Sequence, residues 1–137
     1  MPTLDRVLES SLYVDDLSRA VEFYVKVMQL RILVQDERFC AFDASGHTVV
    51  LLFRRGGSLQ PMMLPGGRIP AHDGAGPLHV AFAIPAPELQ AWESHLQAYG
   101  VEIESKVDWP RGGKSIYFRD PDGHVLELAT PGLWATY

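Results

Sequence analysis

Apolar residues recur along this chain with two periods, and the order in which those periods change occurs twice. In VLESSLYV (7–14), Leu8, Leu12 and Val14 fall on one side, and Val7, Glu9, Ser11 and Tyr13 on the other. That alternation predicts a strand with one core face and one mixed face. DDLSRAVEFYVKVMQL follows, with Asp15 or Asp16 placed to cap a helix and Leu17, Ala20, Val21, Tyr24, Val27 and Met28 forming its buried stripe. RILVQ, RFCAFD and HTVVLLF read as three short strands, the last two joined by a turn at ASG (44–46). Residues 54–77 lack any period and are rich in Gly and Pro, which predicts a long loop or linker, either functional or disordered.

The pattern then starts again. LHVAFAIP (78–85) alternates, and APELQAWESHLQAYG is a helix with Leu89, Trp92 and Leu96 on one face and Gly100 as its stop. VEIES, KSIYFRD and HVLELAT are three more strands. The two halves are offset by roughly 70 to 77 residues, as expected for two copies of one supersecondary unit packed together. The predicted class is α+β. A single domain spans residues 1–137, built from two βαβββ modules (about 5–55 and 77–131) joined by the loop 54–77.

The phases also single out chemistry. Glu9 lies on the mixed face of the first strand, His79 on the matching face of the strand that opens the second half, and Glu127 on the non-core face of the last strand. Ser11, Ala81 and Ala129, each two residues on, are small or polar, so these faces are not packed like a core. Two carboxylates and one imidazole suit one divalent metal, Mn, Fe, Co, Ni or Zn rather than copper. The fourth corresponding position falls on Val50 or Leu51, both apolar.

Ser115, Tyr117 and Arg119 alternate with core-type Ile116 and Phe118 and so face the same side as Glu127. Tyr117 is placed to donate to a substrate oxygen or act as an acid. Arg119 pairs more readily with Asp120 or a neighbouring acid. The loop WPRGGKS offers Arg111 and Lys114 to an anionic substrate, and His72 would reach the site if 54–77 folds over it. His47, His95 and His124 read as turn or helix-surface residues, and Cys40 as a buried thiol.

Composition narrows the partners. The chain has 12 Lys+Arg against 17 Asp+Glu, a net charge of −5 and no basic run, which argues against nucleic acid and anionic membranes. One cysteine and no visible signal peptide or apolar span lead to the expectation of a cytoplasmic protein.

LYVDDLSRAVEFY, GPLHVAFAI and IYFRDPDGHVLEL together resemble the vicinal oxygen chelate superfamily, whose members include glyoxalases, fosfomycin-resistance thiol transferases, ring-cleaving dioxygenases and bleomycin-binding proteins. The resemblance covers nearly the whole chain. It implies paired βαβββ modules forming a curved mixed sheet around a cleft, with metal ligands at Glu9, His79 and Glu127. It further implies a small substrate chelated through vicinal oxygens, Glu127 and Tyr117 as catalytic residues, and Ser11, Ser115, Tyr117, Arg119 and Arg111 around the substrate. The first ligand is most often His in the family and is Glu here. The implied activity is that of a lyase, isomerase or thiol transferase working as a homodimer. The alternatives are a metal-free protein that sequesters a bleomycin-like drug, and a dioxygenase.

Overall fold

The computed structural model describes residues 1–137, which divide into two compact units, Met1–Ala75 and Gly76–Tyr137. Each unit holds one four-stranded mixed sheet of the same topology. In the first, β1 (Glu9–Val14) leads through α1 (Leu17–Lys26) to β2 (Arg31–Gln35), β3 (Phe39–Ala44) and β4 (Thr48–Arg54), in spatial order β1-β4-β3-β2. β1 runs parallel to β4, which the long connection through α1, β2 and β3 allows, and the remaining neighbours are antiparallel.

Local chemistry fixes α1. Asp16 accepts the Arg19 N–H at 3.1 Å, capping the first turn, while Asp15 is drawn instead to Arg55. Leu17, Ala20, Val21 and Tyr24 form the buried stripe, and Tyr24 stacks on Phe42 of β3 with centroids 5.9 Å apart. The helix stops where Gln29 turns left-handed at φ 58°. One face of the sheet, with Leu12, Val14, Cys40, Phe42, Val50 and Leu52, is thereby buried. The opposite face carries Glu9, Ser11, Tyr13, Phe39, Leu51 and Phe53.

The segment 54–77 differs from the expected structureless loop. It contains a hairpin, β5 (Met62–Leu64) against β6 (Gly67–Ile69), turning at Pro65-Gly66. Its two ends are tied to each other. Arg55 Nε donates to the Gly74 carbonyl at 3.1 Å, His72 N–H to Ser58 O at 2.9 Å, and Gly56 N–H to Asp73 Oδ1 at 3.1 Å.

The second unit has β7 (His79–Ala83), a 3-10 turn at Ala86–Glu88, α2 (Leu89–Ala98), β8 (Ser105–Asp108), β9 (Lys114–Arg119) and β10 (Val125–Ala129), in spatial order β7-β10-β9-β8. β8 begins later than VEIES predicts. The Val101 N–H still bonds back to Leu96 O at 2.9 Å, and pairing to β9 starts only at Glu104. Ile116, Phe118, Leu126, Leu128 and Leu96 are buried. No helix is long and apolar enough to cross a membrane.

His124 corrects the expectation of a surface turn residue. It is fully buried, and its Nδ1 accepts the Leu78 N–H at 2.9 Å. Asp120 Oδ1 accepts the N–H groups of Asp122 and His124, each at 2.9 Å. The turn RDPDGHV therefore anchors the start of β7, the strand that carries His79.

Candidate metal centre and substrate cavity

Strand register places the second-unit group. His79 lies opposite Val125, and Glu127 lies between Ala81 and Tyr117, so His79, Glu127, Tyr117 and Ser115 project from one face. His79 Nδ1 is 2.9 Å from the Val125 carbonyl oxygen, which can only accept, so Nδ1 carries the hydrogen. In its neutral form the ring presents its Nε2 lone pair toward Glu127 Oε1, 3.3 Å away. Two acceptors at that separation need a positive group to hold them together, a proton or a metal ion. Ligand bonds of about 2.0–2.2 Å put two donors of one ion roughly 3–3.5 Å apart, so the pair fits a divalent metal. The carbonyl that fixes the histidine tautomer is the outer support such ligands ordinarily have.

Glu127 is 4% exposed, unusual for a carboxylate. Its Oε2 accepts the Ser115 hydroxyl at 2.5 Å, and Ser115 Oγ in turn accepts the Trp109 Nε1–H at 2.8 Å. This relay orients the carboxylate and leaves Oε1 directed at His79. Tyr117 lies over the His79 ring, centroids 6.3 Å apart. Burial, and then the nearby Glu127 charge, hold its hydroxyl above the ordinary tyrosine pKa, so it stays protonated at neutral pH and acts as a hydrogen-bond donor.

The other predicted residues are placed differently. Arg119 is taken up by Glu104 (Nε–Oε2 3.0 Å) and by the Gly123 carbonyl, at 3.0 Å. Lys114 pairs with Asp108 at 2.6 Å, and Arg111 is exposed in the β8–β9 loop. Glu9 and Ser11 belong to the first unit. Neither unit gathers three His, Cys, Asp or Glu side chains into one group.

Register also settles the fourth position. Glu9 aligns with Val49 and His79 with Val125, so Ser11–Leu51 corresponds to Ala81–Glu127. The residue in the place of Glu127 is Leu51, not Val50. It packs with Ala41 and Phe53 in a buried cluster against Tyr13, Phe39 and Val49.

That face forms one wall of a cavity of about 400 Å³ within the first unit, lined among others by Glu9, Ser11, Tyr13, Leu51, Phe53 and His72. The Tyr13 hydroxyl is 2.8 Å from His72 Nδ1, and Phe53 meets the His72 ring edge-on at 4.5 Å. Burial, then Asp73, raise the Tyr13 pKa.

Sequence reasoning missed Trp109, read only as part of a cationic loop, and Arg38 on the cavity wall. Trp109 lies six residues before Ser115, a spacing without periodic meaning across a hairpin.

Residues 3–128 match the model of the glyoxalase/bleomycin resistance protein/dioxygenase superfamily. Metallothiol transferase FosB of Bacillus licheniformis is 36% identical over 118 residues, covering 85% of this chain and 70% of that protein. Its counterpart in Shouchella clausii is 34% identical over 119 residues, covering 85% and 74%. Among solved structures, a lactoylglutathione lyase from Agrobacterium tumefaciens superposes with a TM-score of 0.88 at 29% identity, covering 98% of this chain and 99% of that one. The fosfomycin resistance protein FosX of Listeria monocytogenes shares the fold, with a TM-score of 0.64 at 24% identity over 95% and 94% of the two chains. By sequence and by fold, the chain belongs to the glyoxalase/bleomycin resistance protein/dioxygenase superfamily.

Proposed function

We propose that the protein is a metal-dependent enzyme of the thiol-transferase or lyase type acting on a small oxygen-bearing substrate. The observation that carries this reading is the His79–Glu127 pair, a buried carboxylate and a tautomer-fixed imidazole whose acceptor atoms stand 3.3 Å apart. The names of the metallothiol transferases and of the lactoylglutathione lyase support the reaction type.

His79 and Glu127 would hold the ion, with Glu9 as a further ligand and the protein working as a homodimer. A divalent ion bound there supplies a Lewis acid that stabilises negative charge on a substrate oxygen. Ser115, itself fixed by Trp109, keeps Glu127 Oε2 in place. Tyr117, neutral at physiological pH, is placed to donate its proton to a substrate oxygen as charge develops there.

Metal content tests the proposal. Untagged protein loaded with Mn, Co, Ni or Zn and then dialysed retains about one ion per chain, whereas His79→Ala and Glu127→Ala retain none. Equal retention by wild type and both variants would overturn it, and absence of metal from all three would favour a binding protein. Glu9→Ala reports separately on the third ligand, and the mass in solution on the dimer.

A further inference from the structure

Arg38 has no counterpart in the chemistry above. It lies just before β3, partly buried, on the wall of the first-unit cavity. Its Nη1 donates to Ser58 Oγ at 2.8 Å and its Nη2 contacts Met62 Sδ at 3.4 Å, so neither partner carries a charge. The guanidinium carbon sits 5.3 Å from the centre of the Phe39 ring and 5.6 Å from that of Phe53. Arg6, Arg31, Arg55 and Arg119, by contrast, each meet a carboxylate.

The surroundings of Arg38 make this informative. Phe39 and Phe53 stack at 5.7 Å, and Phe53 and Tyr13 at 6.0 Å, so the wall below the guanidinium is a run of aromatic rings. Leu51, Met62 and Ile69 add apolar lining, while Gln60 and the Glu9 carboxylate, whose charge opposes an anion, are among its polar members beside Arg38. The hairpin β5–β6 contributes Met62 and Ile69, and Ser58 just before it is 4% exposed. A guanidinium is always protonated and offers five donors in a fixed fork, of which these contacts engage two. A cation held against aromatic faces beside an apolar cavity is suited to an oxyanion on an apolar body.

We infer that the cavity binds a substrate or co-substrate with an aromatic or branched apolar body and one carboxylate, phosphonate or phosphate group, the oxyanion being received by Arg38. This deepens the enzymatic reading by naming a substrate class, but the binding step itself requires no metal. The stacked rings take the apolar body, and the cavity volume of about 400 Å³ accommodates a molecule of drug size or smaller.

The test is equilibrium binding to metal-free protein, followed by amide chemical shifts, with four probes: phenylacetate, phenylphosphonate, phenylacetamide and acetate. Phenylacetate or phenylphosphonate should bind at least about tenfold more tightly than phenylacetamide, which lacks the charge, and than acetate, which lacks the ring. Shifts should centre on β3, β4 and Ser58. Arg38→Ala should remove the preference for the anion while retaining weak binding of phenylacetamide, which shows that the cavity is intact, and Arg38→Lys should restore part of it. Equal binding of the charged and neutral probes, or unchanged anion binding in Arg38→Ala, would overturn the inference. His79→Ala distinguishes the two proposals. It loses metal if the enzymatic reading holds, and it must still bind phenylacetate in the metal-free state if Arg38 is the anchor.

Discussion

β4 and β10 occupy the same place in two sheets of identical topology, yet their outward faces are opposites. Leu51 and Phe53 of β4 stand where β10 has Glu127 and Ala129. Across the next pairing, Phe39 and Ala41 stand where β9 has Ser115 and Tyr117. The first unit therefore builds an aromatic wall and the second a hydrogen-bonded polar group on the same backbone frame. The core faces hardly differ: Cys40, Phe42, Val50 and Leu52 correspond to Ile116, Phe118, Leu126 and Leu128, all buried. The two units are alike on the buried side and differ on the other. The proposed metal pair and the Arg38 cavity both lie on that outward side.

The sharpest way to break this comparison is to exchange the two central residues. Leu51 is 8% exposed and Glu127 4%, so both places are dry. Leu51→Glu brings a carboxylate among Ala41 and Phe53, with Phe39 standing where Ser115 supports Glu127 and Ser11, opposite on β1, the neighbouring hydroxyl. We expect a loss of about 3–5 kcal/mol of stability in urea unfolding. The reciprocal Glu127→Leu removes a buried charge but leaves the buried Ser115 hydroxyl without its acceptor, so it should cost less, about 1–3 kcal/mol. A charge tolerated at position 51 would mean that the two outward faces are less different than their sequences suggest.

Ser115→Ala tests the polar half alone. It removes the 2.5 Å hydrogen bond to Glu127 Oε2 and strands the Trp109 Nε1–H. A hydrogen bond to a charged group is worth about 1.5–3 kcal/mol, so a loss near 2 kcal/mol is expected. Metal affinity should fall as well, since the ligand loses its support. Unchanged stability and affinity would show that the relay does not orient Glu127.

Much of this was legible in the sequence, for an identifiable reason. α1 and the core strands bury one side along a regular period, and that is the signal a sequence displays, as with Leu17, Ala20, Val21 and Tyr24. The same period-two phase brought out His79, Glu127, Ser115 and Tyr117, which do share a face. The hairpin β5–β6 was not legible, because its strands are three residues long and largely exposed. The tethers that order its segment, Arg55 to Gly74 and Tyr13 to His72, join residues 19 and 59 positions apart. His124 was misread because its burial depends on a backbone donor 46 residues away.

Gly74 shows how closely that segment is fitted to the aromatic half. A Cβ at this position would lie 2.3 Å from the Tyr13 Cδ2 atom. Gly74→Ala must therefore push the strap or the ring aside, at about 1–3 kcal/mol. It should also loosen the Tyr13–His72 contact, visible as a change in the His72 ring resonances. Normal stability with unaltered resonances would mean that the strap does not press on the sheet. The second unit has no equivalent segment, so its Tyr117 resonances should not change in this variant.

The smallest effect concerns the faces that are alike. Cys40 is fully buried where the second unit has Ile116, and burial raises its thiol pKa from 9.0 to about 11. Below pH 9 both the folded and the unfolded chain keep this proton, so the thiol does not change stability with pH. Between pH 9 and about 11 the unfolded chain releases it while the folded chain retains it. Stability then falls as pH rises, and this contribution is lost above about 11. Cys40→Val should be within about 1 kcal/mol of wild type at pH 7, since a branched apolar side chain already fills the matching place in the other sheet. Tyr13, Tyr117 and Tyr137, whose pKa values are also raised, still give the variant an alkaline decline. Urea midpoints followed from pH 8 to 11 should separate, with wild type falling more steeply than Cys40→Val from pH 9 upward. Parallel curves would mean that the thiol reaches water in the folded protein, and that this stretch of the first core is looser than its counterpart around Ile116.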